Sequence, residues 1–241
     1  MFAQWKDNNK LLVDYDYHRW KLHRFVKKEQ DRTDIMAYLD ENLDMFKEIY
    51  ANVQSASNEY PGISSLGFRD FCYKSRFIDK QFHASAADRL FIAANYDLDY
   101  NEGDQNVASQ LIRYEFLEIL VRVAKHKFIE TNKCSNYKVA LGAMFSQIKK
   151  EYPLLGWNRW RNQVLWEVEL NDMLARNQDN LKVIFEMFSR NPKHKRLTMP
   201  ELREWMCSEK VPELCMISER ECQLLFGMSK MPVKDEENKL D

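Results

Sequence analysis

One spacing recurs along this chain. Phe46 and Phe71 are followed, forty-five residues later, by Phe91 and Phe116. In each copy an apolar helical segment runs into a polar stretch and a Leu follows (Leu66, Leu111). An acid and a Phe stand four and five places beyond that Leu (Asp70-Phe71, Glu115-Phe116), and a second helical segment continues. A third copy runs from Ile184-Phe185-Glu186-Met187-Phe188 through Ser189 to Arg196 and into Leu197-Thr198-Met199-Pro200-Glu201-Leu202. A unit repeated in this way constrains the architecture more than any single motif, because one helix-loop-helix cannot bury its apolar face alone. The reading is an all-α chain of paired helix-loop-helix units.

The aliphatic residue, three spacers, acid and aromatic or Leu that close each loop resemble the closing segment of the EF-hand superfamily. The resemblance implies tandem pairs of EF-hand-like units. Three segments are similar to EF-hand-like proteins of protist cilia that decorate axonemal microtubules: residues 111–124 (Leu-Ile-Arg-Tyr-Glu-Phe-Leu-Glu-Ile-Leu-Val-Arg-Val-Ala), Pro61-Gly62-Ile63 before Phe68, and Phe226-Gly227-Met228-Ser229-Lys230-Met231. That similarity spans roughly residues 35–232 and is most specific over 111–124. It implies a non-catalytic structural or adaptor protein of a ciliary axoneme or other microtubule assembly, in the cytoskeleton, with tubulin or other axonemal proteins as partners.

Calcium needs oxygen ligands at loop positions 1, 3, 5 and 12, and a Gly at position 6 for the sharp turn. The third copy places Lys193, His194, Lys195 and Arg196 where carboxylates and the Gly belong, and a divalent cation is repelled there. The first copy has Tyr50 at position 1 and no acid before Glu59. In the second, Asn95, Asp97 and Asp99 fall at positions 1, 3 and 5 and Glu115 stands at the closing acid, although an insertion containing Glu102, Asp104 and Asn106 separates the halves. Asn95, Asp97, Asp99 and Glu115 are therefore the candidate metal ligands. The alternative is a solvated acidic loop in which Asn95 and Asp97 cap helices and turns. No cofactor is expected other than calcium at this one non-standard loop.

The composition narrows the function further. Six Gly and six Pro, all scattered, leave no phosphate-cradling loop and no nucleotide fingerprint. A net charge of -1 predicts no partnership with nucleic acid or with a bulk membrane surface. The five cysteines form no CxxC pair and have no His at zinc spacing, which fits reduced thiols on apolar helix faces. The segment Met1-Phe2-Ala3-Gln4-Trp5-Lys6-Asp7 has no signal-peptide pattern, and no apolar run approaches membrane-spanning length. A soluble cytoplasmic protein is expected. His18 and His23 lie on different helix faces and read as surface residues. HExxH, GxSxG and Cys-His signatures are all missing, which argues against an enzyme.

Helical periodicity divides the chain into an N-terminal helical extension over 1–33, a first pair of hands over 34–130, a second over 137–208, and a C-terminal helix with an acidic tail over 209–241. The extension is expected to form a helix over about 14–28, and a single amphipathic helix is expected over 34–51. Ser85, with Asp88 three residues on, reads as an N-cap, and Ser218 with Glu221 as a capping box. The helix over about 109–128 is apolar nearly all round and is expected to be central. Residues 129–136 read as the interdomain turn.

Positive charge gathers at Lys125-His126-Lys127, Lys149-Lys150, Arg159-Trp160-Arg161 and Lys193-His194-Lys195-Arg196. Such patches steer docking toward an acidic surface such as that of tubulin, and make Lys193, Lys195, Arg196, Arg159 and Arg161 the candidate partner-binding residues. Cations favoured near helix C-termini account for each patch equally well when it is taken alone. Two other readings stand beside the adaptor. One is a calcium-responsive sensor that exposes an apolar groove; the other is a regulatory subunit that clasps a partner's amphipathic helix without calcium.

Overall fold

The computed structural model describes residues 16–56, 62–96, 109–154, 167–190, 197–207 and 217–229. It is all-α apart from one two-stranded bridge among the described residues. The chain forms two compact units, Met1–Leu154 and Leu155–Asp241.

In the first unit α1 (Glu29–Glu41) and α2 (Leu43–Ala56) replace the single helix expected over 34–51. The break is at Asn42, whose side-chain amide donates to Tyr38 O at 2.8 Å while its backbone leaves the helical region. Ile35 and Leu39 of α1 and Phe46, Ile49 and Val53 of α2 are all buried. The strand β1 (Ile63–Ser64) leads into α3 (Ser65–Lys74), and Ser64 caps that helix by accepting from the Gly67 N–H at 3.2 Å. Next come α4 (Ala84–Asn95), β2 (Gln110–Leu111) and α5 (Arg113–Ala124). The N-cap of α4 is His83, so Ser85 lies inside the first turn. Asp88, expected to complete its box, forms a two-oxygen ion pair with Arg69 of α3 at 2.8 Å.

The bridge joins the two loops antiparallel, with Ile63 opposite Leu111 and Ser64 opposite Gln110. Gly62 makes it possible. Its N–H donates to Gln110 Oε1 at 2.9 Å, and a Cβ added there would stand 2.6 Å from Gln110 Cβ. The recurrent aromatics meet around this bridge. Phe71 lies edge-on to Phe116 with centroids 5.6 Å apart, and Phe68 lies 6.2 Å from Phe91.

Helix α5 is the centre of the unit. Tyr114 to Val121, Val123 and Ala124 are buried, as a helix apolar on every side must be when neighbours cover each face. It runs on into a π-helical turn, Lys125–Ile129. Residues 129–136 form a turn within this unit: Asn132 has a positive φ of 58°, and Asn136 caps α6 (Tyr137–Glu151) by accepting from the Val139 N–H. The expected second pair of hands begins with α6, yet α6 packs on α1 and α5 and buries Ala140, Leu141, Met144, Phe145 and Ile148. The chain divides after Leu154 because this apolar face already has its cover in the first unit.

The extension is not one helix over 14–28. A short turn at 16–19 is followed by a 3-10 turn, Leu22–Arg24, and the segment is held to α5 by specific bonds. Asp16, almost fully buried, pairs with Arg113 at 3.0 Å. The Trp20 indole donates to Tyr114 O at 3.0 Å, and Phe25 lies under the Arg122 guanidinium at 4.1 Å.

The second unit contains α7 (Val168–Arg176), α8 (Gln178–Phe188), α9 (Met199–Met206) and α10 (Glu219–Ser229). Phe188 stacks on Trp205 at 5.2 Å, and α10 packs along α9 with Cys222 and Phe226 buried. The capping box at the start of α10 forms as expected: the N–H of Ser218 donates to Glu221 Oε2 at 2.8 Å, and the N–H of Glu221 returns to Ser218 Oγ at 3.3 Å. Among the described residues no helix is long and apolar enough to cross a membrane.

Candidate functional site

The candidate site is the set of acids that close the three helix-loop-helix units, because their oxygens decide whether a loop can hold a cation. Glu115 is the third residue of α5 and is buried. Its Oε2 accepts the N–H of Ile112 at 3.0 Å, the return half of a capping box, since Ile112 has no side-chain oxygen to complete it. Glu201 occupies the same place in α9. Its Oε2 takes the Thr198 N–H at 2.7 Å and the Thr198 hydroxyl at 2.8 Å, and its Oε1 takes the Arg190 N–H at 2.7 Å. Desolvation alone would raise the Glu201 carboxyl, but these bonds outweigh it and hold the group below the ordinary carboxylate range. Asp70, the acid of the first unit's first loop, pairs with Lys74 one turn on at 2.7 Å. Each of the three acids is bonded within its own helix-loop-helix.

Of the candidate metal ligands, Asn95 is the last residue of α4 and is half-buried, and Glu115 caps α5; Asp97 and Asp99 lie outside the described residues. Among the described residues, no three His, Cys, Asp or Glu side chains are placed to hold a metal ion. The candidate partner-binding residues Arg159, Arg161, Lys193, Lys195 and Arg196 also lie outside the described residues.

The two remaining basic clusters differ from each other. Lys149 and Lys150 are exposed, whereas Lys127 is buried and donates to Phe77 O and to Asp79 Oδ2, both at 2.6 Å. The Lys125-His126-Lys127 cluster is thus not an open patch: Lys127 ties the segment between α3 and α4 to the π-helical turn, and Lys125 donates to Phe25 O at 3.3 Å. Burial acts to raise the Asp79 carboxyl; the Lys127 ammonium and the N–H groups of Phe82 and Gln81 overcome that and hold it at about 2.

Three features escape sequence reasoning. Glu118, buried beside Glu115, receives the Arg122 guanidinium at 2.7 Å on Oε1 and the Lys21 N–H at 2.9 Å on Oε2. Asp16 and Arg113 meet across ninety-seven residues of chain, a separation that no local periodicity reports. Last, α7 and α8 bury no residue and leave Val168, Met173, Leu181, Val183 and Met187 exposed, although three- and four-residue spacing marks both as amphipathic. His18 and His23 are exposed, as expected.

The fold defines a mostly helical protein whose loop-closing acids serve their own helices. Comparison with known proteins adds nothing to that class: no family model, no curated protein and no solved structure matches the chain.

Proposed function

We propose that this chain is a non-catalytic helical adaptor, built from EF-hand-like units that act without calcium, and that it docks on an acidic filament of the microtubule kind. The observation that carries the reading is the use of Glu115 and Glu201. A closing acid in a calcium loop presents both oxygens to the ion. Here Glu115 Oε2 bonds the start of α5, and Glu201 bonds on both oxygens, at the start of α9 and at Arg190. Carboxylates employed in this way hold helix ends in place, which supports a scaffold role for the loops they close. The open apolar sides of α7 and α8 support a protein-binding role, since helices of 9 and 11 residues gain little stability without tertiary cover. The filament part of the reading rests on the resemblance of residues 111–124 and on the basic clusters.

Co-sedimentation with polymerised tubulin tests it. The protein is expected to pellet equally in calcium and in chelator. Combined Lys193→Glu, Lys195→Glu and Arg196→Glu changes are expected to weaken binding at least tenfold at unchanged melting temperature. A protein that stays in the supernatant, or pellets only with calcium, overturns the adaptor. In the calcium-dependent case, calorimetric heat that is abolished by Asp97→Ala with Asp99→Ala would assign the loop to a sensor.

A further inference from the structure

In the second unit, two short helices carry more apolar surface than their neighbours cover. Asn177 ends α7 and begins α8. Its N–H and its side-chain amide both donate to Met173 O, at 3.2 and 2.8 Å, and its own carbonyl accepts the Leu181 N–H at 2.9 Å. One residue thus fastens the two helices to each other. Leu170 and Leu174 of α7 and Ile184, Phe185 and Phe188 of α8 are half-buried, whereas Met173, Leu181, Val183 and Met187 are exposed. Val183 and Met187 stand one turn apart on the same side of α8. Carboxylates border this surface. Glu169 lies one turn before Met173, and Asp179 and Glu186 lie one turn to either side of Val183. With Glu167 and Asp172 they are exposed, and the cations of residues 167–188 are Arg176 and Lys182 alone. Among the described residues none of these five carboxylates is engaged in an ion pair or a side-chain hydrogen bond.

We infer that this face of α7 and α8 docks a basic amphipathic helix of a partner protein. The partner lays its apolar side on Met173, Val183 and Met187 and sets Lys or Arg against Glu169, Asp179 and Glu186. The inference rests on the adaptor reading and gives the adaptor its second partner. Charge decides among the occupants that an exposed apolar face can take. An anionic membrane surface and an acidic filament are both repelled by unpaired carboxylates, and the same face of a second copy would bring five more carboxylates against them. A cationic helix with one apolar side satisfies the apolar centre and the acidic border together. The acids steer the encounter, and burial of apolar surface supplies the affinity. Methionine suits such a contact, because its unbranched and polarisable side chain adjusts to the shape laid on it. The junction at Asn177 fastens the two helices before a partner arrives, which lowers the ordering cost of binding.

The test titrates the full chain into a fluorescent model helix with Leu along one side and Lys along the other, followed by anisotropy in chelator. Saturable binding is expected, weaker as salt rises, and at least tenfold weaker for the same helix with Glu in place of Lys. Val183→Gln with Met187→Gln changes exposed side chains, and is expected to weaken binding about tenfold at unchanged melting temperature. Glu169→Lys with Asp179→Lys and Glu186→Lys is expected to reverse the preference between the two helices. No binding, equal binding of the two helices, or indifference to the Val183 and Met187 changes overturns the inference. A concentration-dependent dimer that those changes dissociate also overturns it, by giving the face to a second copy. Co-sedimentation of the same preparation with tubulin separates the two readings. A chain that pellets but ignores the Lys helix loses this inference alone, and one that binds the helix but stays in the supernatant loses the filament reading alone.

Discussion

The two units use the same local chemistry and reach different degrees of closure. In each, an acid at the third position of a helix turns back to the helix start, Glu115 in α5 and Glu201 in α9. In the first unit the two loops are joined by a bridge, and the aromatics on either side, Phe68, Phe71 and Phe116, are at most 1% exposed. In the second unit α7 and α8 bury nothing, and Met187 is 74% exposed. Caps begin helices; only a partner face removes their apolar side from water. The difference shows that the repeat supplies the elements and that pairing supplies the core.

The largest test of this contrast is Phe71→Ala. Phe71 meets Phe77, Phe116 and Tyr152, so its loss is expected to destabilise the first unit by about 3–5 kcal/mol in chemical denaturation. Met187→Ala in α8 is expected to change stability by less than about 0.5 kcal/mol. Similar values for the two would erase the distinction between the units.

The next effect is at the bridge. Gly62→Ala forces a Cβ into Gln110 and is expected to cost about 1–3 kcal/mol, with faster amide exchange at Ile63 and Leu111. Unchanged exchange there would mean that the loops stay joined by their aromatics alone.

A smaller loss is expected at the caps. Thr198→Ala removes the hydroxyl that accepts the Glu201 N–H at the start of α9 and is expected to cost about 1 kcal/mol, seen as a lower melting temperature of the second unit. The smallest effect concerns pH. Asp79 titrates at about 2 in the folded protein against 3.8 ordinarily, so its contribution is present above pH 3.8 and is lost as pH falls toward 2. Asp79 is partly exposed, and the expected sign is a modest acid destabilisation that Asp79→Asn abolishes. Acid unfolding profiles of the two proteins that superimpose would remove Asp79 as its source.

Much of the helical layout was legible beforehand. The spacing of Phe46, Phe71, Phe91 and Phe116 located the four helices that flank the first two loops, and Ser218 with Glu221 located the start of α10. The capping role of Glu115 was hidden because an acid three residues into a helix after a Leu also fits a loop-closing ligand; the two differ only in which group its oxygen meets. The break at Asn42 and the cap at His83 escaped because periodicity reads through a one-residue interruption. The placement of α6 escaped for another reason. Its stripe of Leu141, Met144, Phe145 and Ile148 states that a face must be covered and is silent on which helix covers it.

By itself the sequence determined that this chain is all-α, where its helices recur, and which side of each is apolar, because those properties depend on residues three to five positions apart. The tertiary structure alone decided that Asp16 reaches Arg113, that Lys127 is buried on Asp79, and that α6 belongs with the first unit. Each of these joins residues that are distant along the chain, whose pairing is set by packing and loop closure rather than by local preference.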